Sequence, residues 1–298
     1  MSTTRRQPPG IAIGGQFAGS SHAEGDVLLE DQPLAHPMPK AYSFTMLGAF
    51  GDCPRRYFHD RILKDKGQHT PTTWRNFSEL RRSAQRGSKY HAALHKDDPT
   101  AAVEQTADQE GLDPTTRGEL RDLTSGYRAL EPDGPPEGSS SEVYVRATLL
   151  DHRFVGRIDR IQPSGRGGVT IVDSKTGQPP DGVGPDQTPE APVRKVLIPS
   201  DFELSGGLLQ VVFYSDCMSK QGHQVDSVEL HYPRLVEGRP TVFEMPATPK
   251  LLERGLAQME GTAQRVLESH RTGRFEATVG DACATCPHTR GCPVKTRS

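Results

Sequence analysis

HRFVGRIDRIQPSGRGGVTIVDSKTG, residues 152–177, is the stretch on which the fold turns. Two apolar, β-rich runs, Phe154 to Ile161 and Val169 to Asp173, flank a Pro/Ser/Gly turn, the pattern of a β-hairpin. Side chains alternate faces along a strand, so Asp173 and Lys175 point one way and Ser174 the other. Asp159, near the end of the first strand, sits across from Asp173 if the register allows. Two carboxylates and a lysine converging at a strand end can bind a hard divalent cation and steady a hydrolytic transition state. A lone D-x-K is more often a solvated salt bridge, so the reading depends on what else the chain supplies.

The 298 residues suffice for one large domain or two small ones. Composition is polar, 33% hydrophobic and 25% charged, with 25 prolines and 30 glycines, which predicts a globular part carrying long loops or disordered segments. The N-terminus lacks a charged-then-apolar signal pattern, and no apolar run approaches membrane-spanning length. A soluble, cytoplasmic chain without a membrane partner is expected. The net charge of −2 does not announce a nucleic-acid binder, but its distribution is uneven. Cys53 to Lys96 holds 11 Lys/Arg against 3 Asp/Glu, a net of +8, and Asp97 to Val143 holds 3 against 12, a net of −9. Such runs are usually solvated faces; here the basic block brackets His91, so a phosphate-facing surface is a second reading.

Residues 1–40 read as a disordered arm. Ser43 is a plausible N-cap, with helical spacing through Phe44, Leu47, Phe50, Tyr57, Phe58 and Ile62 on either side of a break near Gly51. Residues 76–96 look helical and place His91 and His95 one turn apart on one face. Residues 97–130 read as one or two acidic helices, 131–141 as a loop and 142–150 as a strand. A proline-rich loop follows at 178–194, and the next helical pattern puts Gln210 and Tyr214 on one face. VDSVELHY and TVFEM suggest two more strands, and 248–271 a long helix. Cys283, Cys286 and Cys292 are spaced C-x2-C-x5-C. With Cys53 and Cys217 they make an odd count, which without a secretion signal argues for metal or cluster ligation over disulfides. No Gly-Lys dipeptide occurs, which excludes a Walker-type phosphate loop and a motor.

In order, the pieces are Cys53, G-x3-H from Gly87 to His91, GRIDR with Asp159, D-S-K from Asp173 to Lys175, Q-x3-Y from Gln210 to Tyr214, and the C-terminal cysteine triplet. This resembles the PD-(D/E)XK nuclease superfamily, in particular its RecB-like branch with an iron–sulfur cluster, over roughly residues 43–294. AddB-type nuclease domains and CRISPR-associated adaptation nucleases belong to that branch. The resemblance implies an α/β fold with a restriction-endonuclease-like core, a central mixed β-sheet flanked by helices. One domain would run over 41–298, with a cluster subdomain built from 43–66 and 275–298. It implies His91, Asp159, Asp173 and the Ser174 carbonyl as ligands of Mg²⁺ or Mn²⁺, and Lys175 as the catalytic lysine. Gln210 and Tyr214 would help place DNA and that lysine, with Glu142 and Arg157 in supporting positions. The family often has an aromatic residue where Ser174 stands, but the position lends only its carbonyl.

Cys53, Cys283, Cys286 and Cys292 would carry a 4Fe–4S cluster, with zinc as the alternative because His288 lies inside the triplet. Cys217 is left as a core residue. Arg55, Arg56, Arg81, Arg82 and Arg86, with Arg157, are candidates to track phosphates. The expected function is metal-dependent DNA cleavage, exonucleolytic on single strands or ends, in repair, recombination or phage- or CRISPR-related processing. A helicase or integrase type of protein is the partner such a role would involve. A catalytically inactive DNA-end-binding protein, and a zinc hydrolase using His91 and His95, are the rival expectations.

Overall fold

In the computed structural model, residues 35–68, 71–94, 96, 98–177, 179, 192–196, 206–236, 238–289 and 292–294 are described. The chain runs Tyr42–Ser43 (β1), Phe44–Asp52 (α1), Pro54–Tyr57 (α2), a π-helical turn Phe58–Leu63, Pro71–Leu94 (α3), Pro99–Glu110 (α4) and Pro114–Leu130 (α5). It continues through Ser140–Leu149 (β2), His152–Pro163 (β3), Val169–Ser174 (β4), Val193–Val196 (β5), Gly206–Lys220 (α6), Val225–Val236 (β6), Arg239–Pro246 (β7), Pro249–Thr272 (α7) and a 3-10 turn Asp281–Thr285. Local chemistry sets several ends. Ser43 accepts from the Met46 N–H, and Asp98, Asp113 and Thr248 cap helices whose first residue is proline. Gly111 and Gly273 close α4 and α7 in the left-handed conformation.

Seven strands form one mixed sheet in the order β1-β3-β4-β6-β7-β5, with β2 also paired to β3. The hairpin β3–β4 is antiparallel with Arg160 opposite Val172, a register that carries Asp159 to Asp173. Next to it β4 runs parallel to β6, while β6 and β7 form an antiparallel pair. This is the mixed α/β sheet flanked by helices that the sequence predicts. Along β6, Val228, Leu230 and Tyr232 enter the main core with Leu209, Val212 and Phe213 of α6. The alternate residues Glu229 and His231 turn to the other face and meet Glu131 and Arg160 beneath α5. There the helix backbone approaches the sheet so closely that a Cβ on Gly126 would lie 1.7 Å from the Pro233 carbonyl oxygen.

Helices α3, α4 and α5 share a small core of Tyr90, Val103, Leu120, Leu123 and Tyr127. The two charge blocks meet around it. Arg86 pairs with Glu119 at 2.5 Å, and Lys89 with Glu110. The acidic segment therefore neutralises part of the basic one, a use of charge that the phosphate-facing reading does not include.

Some boundaries differ from expectation. Of the arm expected over 1–40, residues 1–34 lie outside the described residues, and 35–40 rest on the domain. The His36 N–H donates to the His270 carbonyl at 3.1 Å, and its ring packs edge-on to Phe58. Residues 193–194, expected in the proline-rich loop, begin β5, because Val193–Val196 can add to the free side of β7; residues 178 and 180–191 lie outside the described residues. No helix among the described residues is long and apolar enough to cross a membrane.

Candidate active site

Four elements bring the sequence motifs together at a cleft of about 720 Å³, lined among others by Gly87, His91, Glu142, Arg157, Asp159, Gln210 and Tyr214, with Asp173, Ser174 and Lys175 behind that lining. His91 comes from the last turn of α3, Asp159 from β3, Asp173 and Ser174 from the end of β4, and Gln210 and Tyr214 from α6. The Asp159 carboxylate accepts from the Ser174 N–H at 2.8 Å, and its Oδ2 lies 3.6 Å from His91 Nδ1. Lys175 Nζ sits 2.5 Å from Asp173 Oδ2 and donates to Gln210 Oε1 at 3.0 Å. Gln210 in turn donates through Nε2 to the Tyr214 hydroxyl at 2.8 Å. The i, i+4 spacing on α6 thus builds a relay of contacts that fixes the lysine.

Two glycines admit this packing. A Cβ on Gly156 would lie 2.5 Å from Tyr214 Cε1, and one on Gly207 would touch Lys175 Cε at 3.3 Å. Glu142 lies between Ser141 and Val143, which register opposite Arg160 and Ile158, and it pairs with Arg157 at 2.5 Å. Its φ of 56° is costly for a residue with a side chain, and such strain tends to gather at functional sites.

The electrostatics favour a cation. Burial first, and then the charge of Asp173, push the Asp159 carboxyl up to about 7, against the pull of the Ser174 N–H and Lys175. Burial pushes the His91 imidazole below its usual range, which keeps it in the neutral form that ligates metals. His91 Nδ1 is buried outside hydrogen-bond geometry, and Asp173 Oδ2 is buried with the Lys175 ammonium beside it. Orphaned lone pairs beside crowded carboxylates are what a divalent ion would satisfy, so the donor set fits one. Asp173 leans onto Lys175, however, and the ligand atoms of His91, Asp159 and Asp173 do not gather within 4.8 Å of one another; among the described residues, only His59, Asp65 and His288 form such a trio.

Cys217 is fully buried on α6, its thiol pushed up to about 12 by that burial. Cys53 stands between α1 and α2, and burial, followed by the charges of Cys53 and Cys283, raises the Cys286 thiol. Cys292 is turned through its N–H to the Thr289 carbonyl. No three cysteine sulfurs among the described residues lie within 4.8 Å of one another.

The arginines scatter. Only Arg157 lines the cleft. Arg55 lines a second cavity, beside His59 and His288, and Arg56 Nη1 donates to the Ala282 carbonyl and Thr285 hydroxyl, both at 3.1 Å. Arg81 and Arg82 are exposed on α3, while Arg86 is taken up by Glu119. His95 lies outside the described residues, so the paired-histidine reading has no second partner to examine. The trio His59, Asp65 and His288 carries no motif spacing, and its members are too far apart in sequence to be grouped without the fold.

A mixed sheet with acidic residues and a lysine at the ends of adjacent strands defines the restriction-endonuclease-like class of α/β proteins. The chain matches the PD-(D/E)XK nuclease superfamily over residues 41–293 and belongs to it. Among solved structures it is similar to SSO0001, at 15% identity and a TM-score of 0.41, over 87% of this chain and 88% of that one. It is also similar to a protein of Eubacterium rectale described as a candidate exonuclease, at 12% identity and a TM-score of 0.48, over 82% of this chain and 87% of that one. No curated protein matches the chain.

Proposed function

We propose that the chain is a divalent-cation-dependent nuclease that hydrolyses DNA phosphodiester bonds, as an exonuclease acting on single strands or ends. The observation that carries the reading is the relay Asp173–Lys175–Gln210–Tyr214, whose Gln210 and Tyr214 line the same cleft as His91 and Asp159. His91, Asp159, Asp173 and the Ser174 carbonyl would hold the cation, Mg²⁺ or Mn²⁺, since two carboxylates and a carbonyl suit a hard ion and one imidazole suits Mn²⁺. When bound, it supplies charge neutralisation at the phosphate and a more acidic water.

The chain's own residues do the rest. Asp173 and Gln210 hold the Lys175 ammonium at the site, where it can orient a water or offset charge gathering on phosphate oxygens. Tyr214 anchors Gln210. Arg157, held by Glu142 at the cleft wall, offers a second cationic contact to the strand. Cys53, Cys283, Cys286 and Cys292 would carry a 4Fe–4S cluster in a structural role, with zinc the alternative. In support, burial, with the charges of nearby Cys53 and Cys283, raises the Cys286 thiol.

One experiment covers both halves. Protein purified anaerobically is read for iron and its visible spectrum, then mixed with single-stranded DNA and Mn²⁺. A brown sample with about four irons per chain that degrades DNA is the expected result. Lys175→Ala and Asp173→Ala should each lose roughly 100-fold or more of the rate while keeping the iron. Undiminished cleavage by both variants would refute the site; DNA binding without cleavage by the wild type would favour the end-binding rival.

A further inference from the structure

Away from the cleft, the π-helical turn, the loop after it and the C-terminal segment meet at a second cavity of about 380 Å³, lined by Arg55, His59, Asp65, Gly67, Gln68, Pro287 and His288. The ligand atoms of His59, Asp65 and His288 all lie within 4.8 Å of one another. Asp65 Oδ2 is 3.4 Å from His59 Nδ1 and 3.8 Å from His288 Nδ1. Bonds of about 2.0–2.1 Å to a tetrahedral zinc ion set ligand–ligand edges of about 3.3–3.5 Å. The observed separations are near that edge.

The donors are also in the right form. His288 is nearly sealed, its side chain 6% exposed, and its Nε2 meets Asp60 Oδ1 at 2.8 Å. A carboxylate can only accept, so Nε2 donates to Asp60 and Nδ1 is the ring nitrogen that faces Asp65. His59 Nδ1 is buried without a hydrogen-bond partner. The two rings stack at 4.6 Å and 21°. Lone pairs facing a carboxylate repel unless a cation or an added proton lies between them. A carboxylate behind the far nitrogen of a ligating histidine is the usual outer support of such a site.

The surrounding backbone is shaped to the same point. Asp65 takes the Gly67 N–H at 2.9 Å, and the Gln68 N–H reaches the Pro287 carbonyl at 2.9 Å. A Cβ on Gly67 would lie 2.6 Å from His288 Nδ1, and its φ of 59° also favours glycine. The loop therefore closes over the histidine only because residue 67 has no side chain.

We propose that His59, Asp65 and His288 bind a zinc-class divalent ion, with Asp60 positioning His288. The ion clips residues 59–68 to the C-terminal segment, and water takes the fourth position on the cavity side. The residues that line this cavity are not those that line the cleft, and the site does not depend on the nuclease reading.

The test uses the full chain, incubated with zinc chloride and desalted, and reads zinc per chain, zinc affinity and the zinc K-edge X-ray absorption. A zinc with nitrogen and oxygen neighbours and imidazole scattering is expected, its affinity falling roughly 100-fold or more in Asp65→Asn and in His59→Gln. Asp65→Asn keeps an oxygen for the Gly67 N–H on an exposed loop, so it should fold even where His59→Gln does not. Iron content should be unchanged in it. The proposal is overturned if the wild type takes up no zinc, if sulfur surrounds the zinc that Asp65→Asn removes, if Asp65→Asn binds like the wild type, or if iron leaves together with zinc.

Discussion

Asp159 and Asp173 cannot both be charged at low cost in a buried strand end, and Lys175 is tied to only one of them. The position of that lysine rests on Tyr214, whose ring lies against the bare α-carbon of Gly156. Gly156→Ala is therefore expected to act on chemistry from a distance. A methyl 2.5 Å from Cε1 forces the ring to move, and with it Gln210 and the ammonium. Overpacking of this kind costs about 1–3 kcal/mol of stability. A displacement near 1 Å at the lysine costs roughly 10- to 100-fold in rate. Cleavage at saturating DNA, set beside urea unfolding, checks both, and an undiminished rate would mean that the lysine does not depend on Tyr214. At this scale the sequence was informative where residues sit within one motif: D-S-K and Q-x3-Y lie on a single strand or helix, whose periodicity fixes their faces. Gly156 stands in the quoted stretch without any local sign of its use, since the side chain it makes room for comes from α6.

Among the elements, α7 shows how an end of the chain is held. His270, fully buried near its C-terminus, has Nε2 3.3 Å from the Tyr57 hydroxyl and Nδ1 3.3 Å from the His36 carbonyl. Burial pushes this imidazole below its ordinary range. The unfolded chain takes up a proton near the usual histidine pKa of about 6.5, and the native state does not follow until lower pH. Stability is thus complete above that pH and falls as pH drops beneath it. His91 contributes with the same sign, so the informative quantity is a difference between variants. His270→Gln should be less stable than wild type at pH 7.5 yet lose less between pH 7.5 and pH 5.5 in urea unfolding; equal slopes would remove His270 from this role. The helices themselves were legible because caps and apolar spacing are local: Ser43 and Thr248 both cap where the pattern begins. Strand β5 was not, because Val193–Val196 becomes a strand only through its partner β7. The contact of residues 35–40 with α7 was hidden in the same way, as a polar, proline-containing stretch whose order comes from His270 and Phe58.

Among the described residues, charge that looks like a nucleic-acid surface in one dimension is partly consumed in three. The basic and acidic blocks meet across α3, α4 and α5, and Arg56 is turned inward to hold the C-terminal segment. That segment is otherwise attached through the Arg55 N–H to the Glu276 carbonyl, Asn76 Nδ2 to the Ala284 carbonyl, the Gln68 N–H to the Pro287 carbonyl and His288 Nε2 to Asp60 Oδ1. A guanidinium that donates to two groups at once contributes about 1.5–3 kcal/mol per charged hydrogen bond lost, and each 1.4 kcal/mol is about tenfold in a local opening equilibrium. Arg56→Ala should therefore raise hydrogen exchange roughly tenfold or more across 281–289, with β3, β4 and β6 unchanged. Global unfolding should shift little, because the sheet and its cores do not depend on the segment. The same variant separates two uses of one residue. Were Arg56 a phosphate contact, its loss would weaken DNA binding and flatten the salt dependence of that binding while leaving exchange at 281–289 as in the wild type. The two hydrogen bonds argue for the first outcome, and for ends of the chain that are fastened to each other before they are of use to any substrate.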